Sequence, residues 1–465
     1  MSSRLPVDAV DGPDLVVAGA GGGLVAALRA AQCGLSVLVV ESNQRFRRGN
    51  NTSMSTAMIP AAGTRWQSEF GTVDSVENFI ADIRNKTHGE ADETLSRALV
   101  GVSSRLVEWI ADDLQIPLSL VTDFQYPGHT QLRCHTVPGR AGRVLLDSII
   151  NRVSDSPLID MLVPARLIDV IRTDGAVSSV VISTPAGEEE IPTRAVLLAM
   201  NGFGANAQLV AAELPEIASA SYFGSEASRG DALLIGRKLG ADSAFMDAYQ
   251  GHAALAAPGA TLAGWATVMH GGFLVDCTGR RYGNETIGYS EYAAESLRHA
   301  NGRSWIIIDE RIAAACRSFT DFRNTESTGG ITWAADAARL AEATGIDRAG
   351  LDRSLKSVRE VAVGNAVDEF GRSFVEQPLS GRLGAIFVTP ALFHTQGGLR
   401  VDADARVIDS VGVAITGLYA SGGAAMGISG HGAGGYLAGN GLLCALGLAF
   451  LAAEHVARMH SESFR

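Results

Sequence analysis

The sequence predicts an α/β fold of two parts, a Rossmann-like domain and an α+β domain inserted into it. Three observations predict this. The chain has 465 residues, more than one hydrophobic core organises. Residues 14–42, DLVVAGAGGGLVAALRAAQCGLSVLVVES, read as strand, glycine loop, helix and strand. From about residue 232 to 385 the texture changes. Runs there such as GHAALAAPGATLAGWATVMHGG have no clear period, and strands return only at HTQGGLRVDADARVI (394–408).

Each part of the first segment has a physical task. An apolar strand runs into Gly19, Gly21, Gly22 and Gly23, and a helix rich in Ala and Leu follows. Such glycines let backbone approach a pyrophosphate, and the helix N-terminus offers it free N–H groups. The second strand ends on Glu41 and Ser42. Glu41 stands about 20 residues beyond the loop, where an acid accepts hydrogen bonds from an adenosine ribose. The spacing departs from G-x-G-x-x-G, because Gly19 and Gly21 put Leu24 in the third place. Gly23 takes that role only if the loop is one residue shorter.

The next stretch, RGNNTSMSTAMIPAAGT (48–64), is small and polar, and suits a loop against a flat ligand. Residues 74–115 space their apolar positions for helices. DMLVPARLIDVIRTDGAVSSVVIST (160–184) reads as strands around an Asp-Gly turn. AVLLAMNGFGAN (195–206) is a buried strand followed by a glycine turn. The C-terminal 415–457 reads as a strand, a long glycine loop and a helix.

Composition narrows the function. Hydrophobic residues make up 46% and charged residues 19%, with 53 glycines and a net charge of −12. An acidic chain whose one basic knot is RFRRG (45–49) is a poor match for nucleic acid or an anionic membrane. Five scattered cysteines form no C-x-x-C, so no zinc or iron–sulfur site is expected, and a reducing compartment fits. Residues 1–13 carry Asp8 and Asp11 and no signal-peptide core. GLLCALGLAFLAA (441–453) is too short to span a bilayer and reads as a buried helix. A cytoplasmic protein is the expectation.

Five segments in this order resemble the flavoproteins of the fumarate reductase and 3-ketosteroid dehydrogenase superfamily. They are the first glycine loop with Glu41, RGNNTSMSTAMIPAAGT, AVLLAMNGFGAN, HTQGGLRVD, and GLYASGG…GGYLAGNGL. The resemblance implies FAD, held in a domain assembled from residues 1–231 and 386–465, with 232–385 as a capping domain. The adenosine end would lie on the first glycine loop and Glu41, with Ala165 near the adenine. Gly49, Asn50, Asn51, Thr52 and Ser53 would bracket the isoalloxazine ring with Gly422, Gly423, Asn440, Gly441 and Leu442. Asn201 and Gly202 would also touch the cofactor, Asn201 standing where many relatives have glycine. The early flavin loop has no histidine, so FAD is expected to be noncovalent.

The substrate reading turns on two positions. Members acting on dicarboxylates use one arginine after N-E-x in the cap to shuttle a proton, and another in the C-terminal loop to hold a carboxylate. A guanidinium fork pairs with a carboxylate bidentately. Here GNETIGYSEYA (283–293) carries Tyr289, and GGYLAGNGL (434–442) carries Tyr436. A doubly charged substrate would then be buried without partners, which is costly. A neutral ketone fits better. Its α,β-dehydrogenation sends hydride to flavin N5 and the α proton to a base, while a donor stabilises the enolate.

Tyr289 and Tyr436 are similar to the tyrosines of 3-ketosteroid dehydrogenases, in particular the branch acting at the 4,5 bond. That branch has a serine where this chain has Ala438, so an oxocyclohexane derivative serves as well as a steroid. Tyr289 is the first choice for the base; Tyr292 reads as packing. His394 resembles the histidine that contacts the substrate in the fumarate reductase branch, and His431 reads as structural. Gly434 and Gly435 could donate backbone N–H groups. Phe124, Tyr126 and His135 could wall the pocket. The rivals are a fumarate- or tricarballylate-like enzyme, anchored by His394 and an arginine for which Arg280, Arg281 and Arg400 are available, and a non-catalytic flavin protein. The electron acceptor and the direction of reaction stay open.

Overall fold

A computed structural model describes residues 12–463 apart from Pro258 and Val375. The polar N-terminal segment through Asp11 lies outside the described residues. Strand β1 (Leu15–Ala18), helix α1 (Gly23–Gln32) and strand β2 (Val37–Val40) form the opening unit. β1 pairs in parallel with β2, Leu15 opposite Val37, and on its other side with Val196–Leu198. The strand Ala414–Ala420 then pairs in parallel with Val196–Leu198. Strands from both ends of the chain are therefore neighbours in one sheet, whose order continues to Ile159–Leu162 on one side and to Ala176–Thr184 and Arg166–Thr173 on the other. β1 is buried along its whole length, as a parallel strand covered on both faces must be.

The glycine loop resolves the spacing question. Gly19 has φ +111°, and a Cβ there would stand 2.4 Å from the Ala199 carbonyl oxygen, so no larger residue fits. Gly23 is the first residue of α1, and its Cβ would meet Val17 Cγ1 at 2.6 Å. Gly23, not Leu24, is thus the glycine that lets helix and strand pack closely. Leu24 faces the core instead.

The second sheet is mostly antiparallel and is centred on the long strand Leu383–Thr395. Tyr249–Ala256 lies on one side of it and Ser304–Asp309 on the other. The pairing with Tyr249–Ala256 is irregular: Gln250 faces His394 while Gly251 faces Leu392, leaving Phe393 as the extra residue of a bulge. A bulge re-aims side chains. It explains why the consecutive residues Phe393 and His394 both reach the same cleft.

Both changeovers between the two parts fall later in the chain than 232 and 385, after Ser243–Ala244 and after Thr395. The helix Asp231–Lys238 packs with the first core, and Ser243–Ala244 pairs with Gly398–Leu399. The second core gathers Tyr249, Trp265, Tyr292, Ile306 and the strand Leu383–Thr395. The terminal helix is longer than 441–453. It runs from Asn440 to Glu462, 23 residues, and is apolar enough to cross a membrane by length and composition. Two thirds of its apolar window is buried inside the protein, at 67%, where Phe450 packs on Trp109 at 5.2 Å.

Candidate active site

The two parts meet across one long cleft. One end is made by the opening β-α-β unit. Glu41 lines it and is nearly buried, its carboxylate accepting from the Ala20 N–H at 2.8 Å and the Asn43 N–H at 2.7 Å. The acid thus ties the glycine loop to the end of β2 while facing the cleft. Ala165 donates its N–H to the Glu41 carbonyl at 2.8 Å and lines the same end with Ser42. Arg166 is the only guanidinium on the wall among the described residues, and it is paired with Asp231 at 2.8 Å.

The middle of the cleft is lined by Asn50, Asn51 and Thr52 from one side and Gly422, Gly423, Gly441 and Leu442 from the other. The two asparagines are architectural. Asn50 caps the short helix Asn51–Met54 and donates to the Ala20 carbonyl at 2.9 Å. Asn51 accepts from Ser225 N–H at 2.7 Å and donates to the Phe393 carbonyl at 3.2 Å, joining the two parts. Asn201 has φ +66°, a left-handed conformation that asparagine tolerates better than most residues.

These walls suit FAD on observations of their own. The buried Ser421 hydroxyl on the cleft wall has no partner among the described residues. Buried polar groups are rarely left so, and a polar ligand supplies the missing bonds. A Cβ on Gly21 would stand 3.1 Å from Thr52 Oγ1, so only glycine keeps that passage open.

The far end gathers titratable side chains. Tyr289 is the first residue of the helix Tyr289–Ala300, entered through Gly288. That helix is fixed to the second sheet, where Gly251 N–H donates to Ser290 Oγ at 3.0 Å. The Tyr289 and Tyr436 rings stand edge to face at 5.9 Å, and Tyr126 lines the same space. Burial, reinforced by the neighbouring phenols, pushes the Tyr289 hydroxyl well above its ordinary pKa, and burial also raises Tyr126 and Tyr436. The Gly441 N–H donates to the Tyr436 oxygen at 3.4 Å.

Two histidines complete this end, and both are held neutral. His394 faces Tyr436, ring centres 5.7 Å apart. Its Nδ1 accepts from the Gln396 side-chain amide at 2.8 Å, and Ser429 Oγ holds that amide's oxygen at 3.0 Å. His252 is stacked between Tyr289, at 4.7 Å, and Phe393, at 5.1 Å. Its Nδ1 accepts from the Ala254 N–H at 3.0 Å. In both rings the proton therefore sits on Nε2. Burial lowers His394 to about 4 and His252 to about 3.

Several expected positions lie elsewhere. Gly434 and Gly435 do not line the cleft: Gly434 faces Glu291, and Gly435 presses on the Ser429 carbonyl. The backbone N–H found at the reacting end is that of Gly441. Phe124 stands behind the wall, packing on Tyr126 at 4.7 Å and Phe319 at 6.1 Å. His135 is buried against Thr64 Oγ1 at 2.9 Å. His431 is on the surface, with Asp247 at 2.8 Å. Gly23, Gly49, Ser53, Gly202 and Asn440 stand behind the wall and hold its shape. Tyr292 is wholly buried against Trp265 and Tyr282. Sequence reasoning missed His252, Phe393 and Trp265, which come from stretches without a legible period.

Fold and cleft define a class: a dinucleotide-binding α/β protein whose second part closes a small-molecule chamber over the far end of the cofactor groove. The chain belongs to the FAD binding domain family FAD_binding_2, whose model matches residues 14–442. It is 26% identical over 421 residues to the NADH:fumarate oxidoreductase of Klebsiella pneumoniae (strain 342), covering 90% of this chain and 45% of that protein. The chain thus spans less than half the length of that relative. Among solved structures, it is similar to the open conformation of a flavocytochrome c3 fumarate reductase, with TM-score 0.78 and 24% identity over 97% of this chain and 79% of the other. It is also similar to 3-ketosteroid delta1-dehydrogenase from Sterolibacterium denitrificans, with TM-score 0.77 and 20% identity over 96% and 99% of the two chains.

Proposed function

We propose that this flavoprotein interconverts a neutral cyclic ketone, such as a 3-ketosteroid or an oxocyclohexane derivative, and its α,β-unsaturated form. One observation carries the reading: the reacting end gathers Tyr126, Tyr289, Tyr436, His252 and His394, and no cationic side chain among the described residues lines it. Bound FAD supplies the two-electron partner for the carbon–carbon bond. Tyr289 exchanges the proton on the carbon next to the carbonyl. Tyr436, with the Nε2–H groups of His252 and His394, polarises the carbonyl oxygen as charge builds there. A neutral imidazole donates such a bond without the cost of burying a charge.

The arginines that a carboxylate reading would need are held elsewhere. Arg281 is buried between Glu285 and Asp368. Arg400 is on the surface, 3.5 Å from Asp242. Arg280 does not line the cleft. The names of the fumarate reductase relatives keep a carboxylate substrate as the second reading.

A panel settles the choice. The FAD-loaded protein is mixed anaerobically with saturated cyclic ketones, and its reduced form with cyclic enones or with fumarate and tricarballylate-type acids, while the flavin spectrum is followed. Ketones or enones should change the flavin's redox state and acids should not. Response to acids alone would overturn the proposal, and silence toward every compound would leave a flavin-binding protein without catalysis.

A further inference from the structure

The cap side of the cleft includes Phe319 and the helix Thr320–Ser327, which adds Asp321 and Phe322 to a wall that also holds Leu262 and Trp265. Among these apolar side chains the Asp321 carboxylate has no hydrogen-bond or ion-pair partner among the described residues; only its backbone carbonyl is engaged, by Thr325 Oγ1 at 3.2 Å. The nearby cations are committed. Arg140 lies over the Phe319 ring at 4.4 Å and pairs with Asp123 at 2.8 Å. Arg323 donates to the Thr320 hydroxyl at 2.8 Å and to the Arg317 carbonyl.

An acid in the first turn of a helix often serves the helix dipole, and that role lowers its pKa. Asp321 behaves the opposite way. Burial raises it to about 6, with no positive neighbour acting against the shift. A half-buried carboxyl without a partner is costly, and a ligand group that donates a hydrogen bond removes the cost.

We propose that Asp321 is a specificity residue: it receives a hydrogen-bond donor, a hydroxyl or an ammonium, at the end of the substrate remote from the carbonyl, and it disfavours an anionic tail. The inference rests on the ketone reading above and adds a second feature to the substrate. The ligand is then a ketone at one end and a donor at the other, spanning an apolar middle lined by Trp265, Leu262 and Phe322.

The test uses the FAD-loaded protein and a matched series of cyclic ketones whose distal substituent is methyl, hydroxymethyl, aminomethyl or carboxylate. kcat/KM is measured for the wild type, Asp321→Asn and Asp321→Leu. Binding of the same series to Tyr289→Phe holoprotein, with and without Asp321→Leu, is read by calorimetry, so that affinity is scored without turnover. The hydroxymethyl or aminomethyl ketone should exceed the methyl ketone by about tenfold in the wild type, and the carboxylate should be the poorest. Asp321→Leu should reverse that order. Asp321→Asn should keep a preference for hydroxymethyl and lose one for aminomethyl, which separates the two donors. Ketones that react with an unchanged ranking in Asp321→Leu would overturn this inference alone. A series that neither reacts nor binds would remove the ketone reading and this inference together.

Discussion

Residues 281 to 289 cross from one kind of electrostatics to its opposite. At one end Arg281 is buried, donating to Glu285 at 2.8 Å and to Asp368, while Arg372 reaches the same Glu285 at 3.0 Å. At the other end Tyr289 enters the cleft among phenols and neutral imidazoles. The two regions share one stretch of chain and one core. The difference teaches that an arginine close to a site in sequence is not thereby available to it. A guanidinium held between two buried carboxylates is part of the cap's framework, and drawing it toward a substrate would leave Asp368 unpaired and Glu285 with Arg372 alone.

The largest expected effect tests the uncharged region. Tyr289→Phe removes one hydroxyl and keeps the ring that stacks on His252. Turnover of a responsive ketone should fall about 10³-fold, equal to about 4 kcal/mol in barrier, with FAD still bound and the unfolding midpoint little changed. A near-normal rate would show that the proton passes through another group, Tyr436 or Tyr126 first. The next effect tests the charged region. Arg281→Met should cost about 3 kcal/mol of stability in denaturant unfolding, because it leaves Asp368 without its ion-pair partner in the core and Glu285 with Arg372 alone. Rates per folded, flavin-loaded molecule should stay within a few-fold of wild type. A specific loss of dicarboxylate activity in that variant would reverse the assignment of the two regions.

A third expectation sharpens the comparison by giving it a direction. With its hydroxyl well above the ordinary phenol pKa, Tyr289 is protonated at neutral pH and at rest is a proton donor. Enone reduction, which needs a phenol, should therefore be independent of pH between about 6 and 9 so far as Tyr289 controls it. Desaturation, which needs a phenolate, should rise about tenfold per pH unit across the same range. Equal pH profiles in the two directions would exclude Tyr289 as the titrating group.

The fold was legible wherever physical demands fall on consecutive residues. The glycine loop, the Val-rich strands and Glu41 each announce their task locally, and even the irregular spacing at Gly23 was readable once one residue was allowed to drop out. Tyr289, Tyr436 and His394 were legible because short motifs surround them. His252 was not, since its place depends on a bulge in a strand pairing of residues more than a hundred apart in the chain, which period-two patterning does not encode. The N–H donor was assigned to Gly434 and Gly435 for a similar reason. Their glycine character serves contacts with Glu291 and the Ser429 carbonyl, and one glycine in a loop reads like the next. Gly49, Ser53 and Gly202 mark the same limit, since sequence identifies a cofactor loop more readily than which of its residues face the ligand.

The smallest effect runs through the buried histidines, two of them in the cleft. Burial lowers His252 to about 3 and His394 to about 4 in the cleft, and His129 to about 3 and His135 to about 4 in the packed interior. An unfolded histidine takes its proton near pH 6.5, whereas these four in the fold do not until pH is near their lowered values. Between those limits the unfolded chain binds more protons, so stability rises with pH, is fully present above about 6.5, and is lost as pH falls toward 4. His394→Gln keeps a side chain able to bond Gln396 and removes one such group. The slope of unfolding free energy against pH, measured between 5 and 6, should therefore drop by at most about 1.4 kcal/mol per pH unit. An unchanged slope would mean that His394 is protonated in the folded state at these pH values. The cleft would then hold a cation, and the contrast between an ionic framework and an uncharged chamber would fail at its most exposed point.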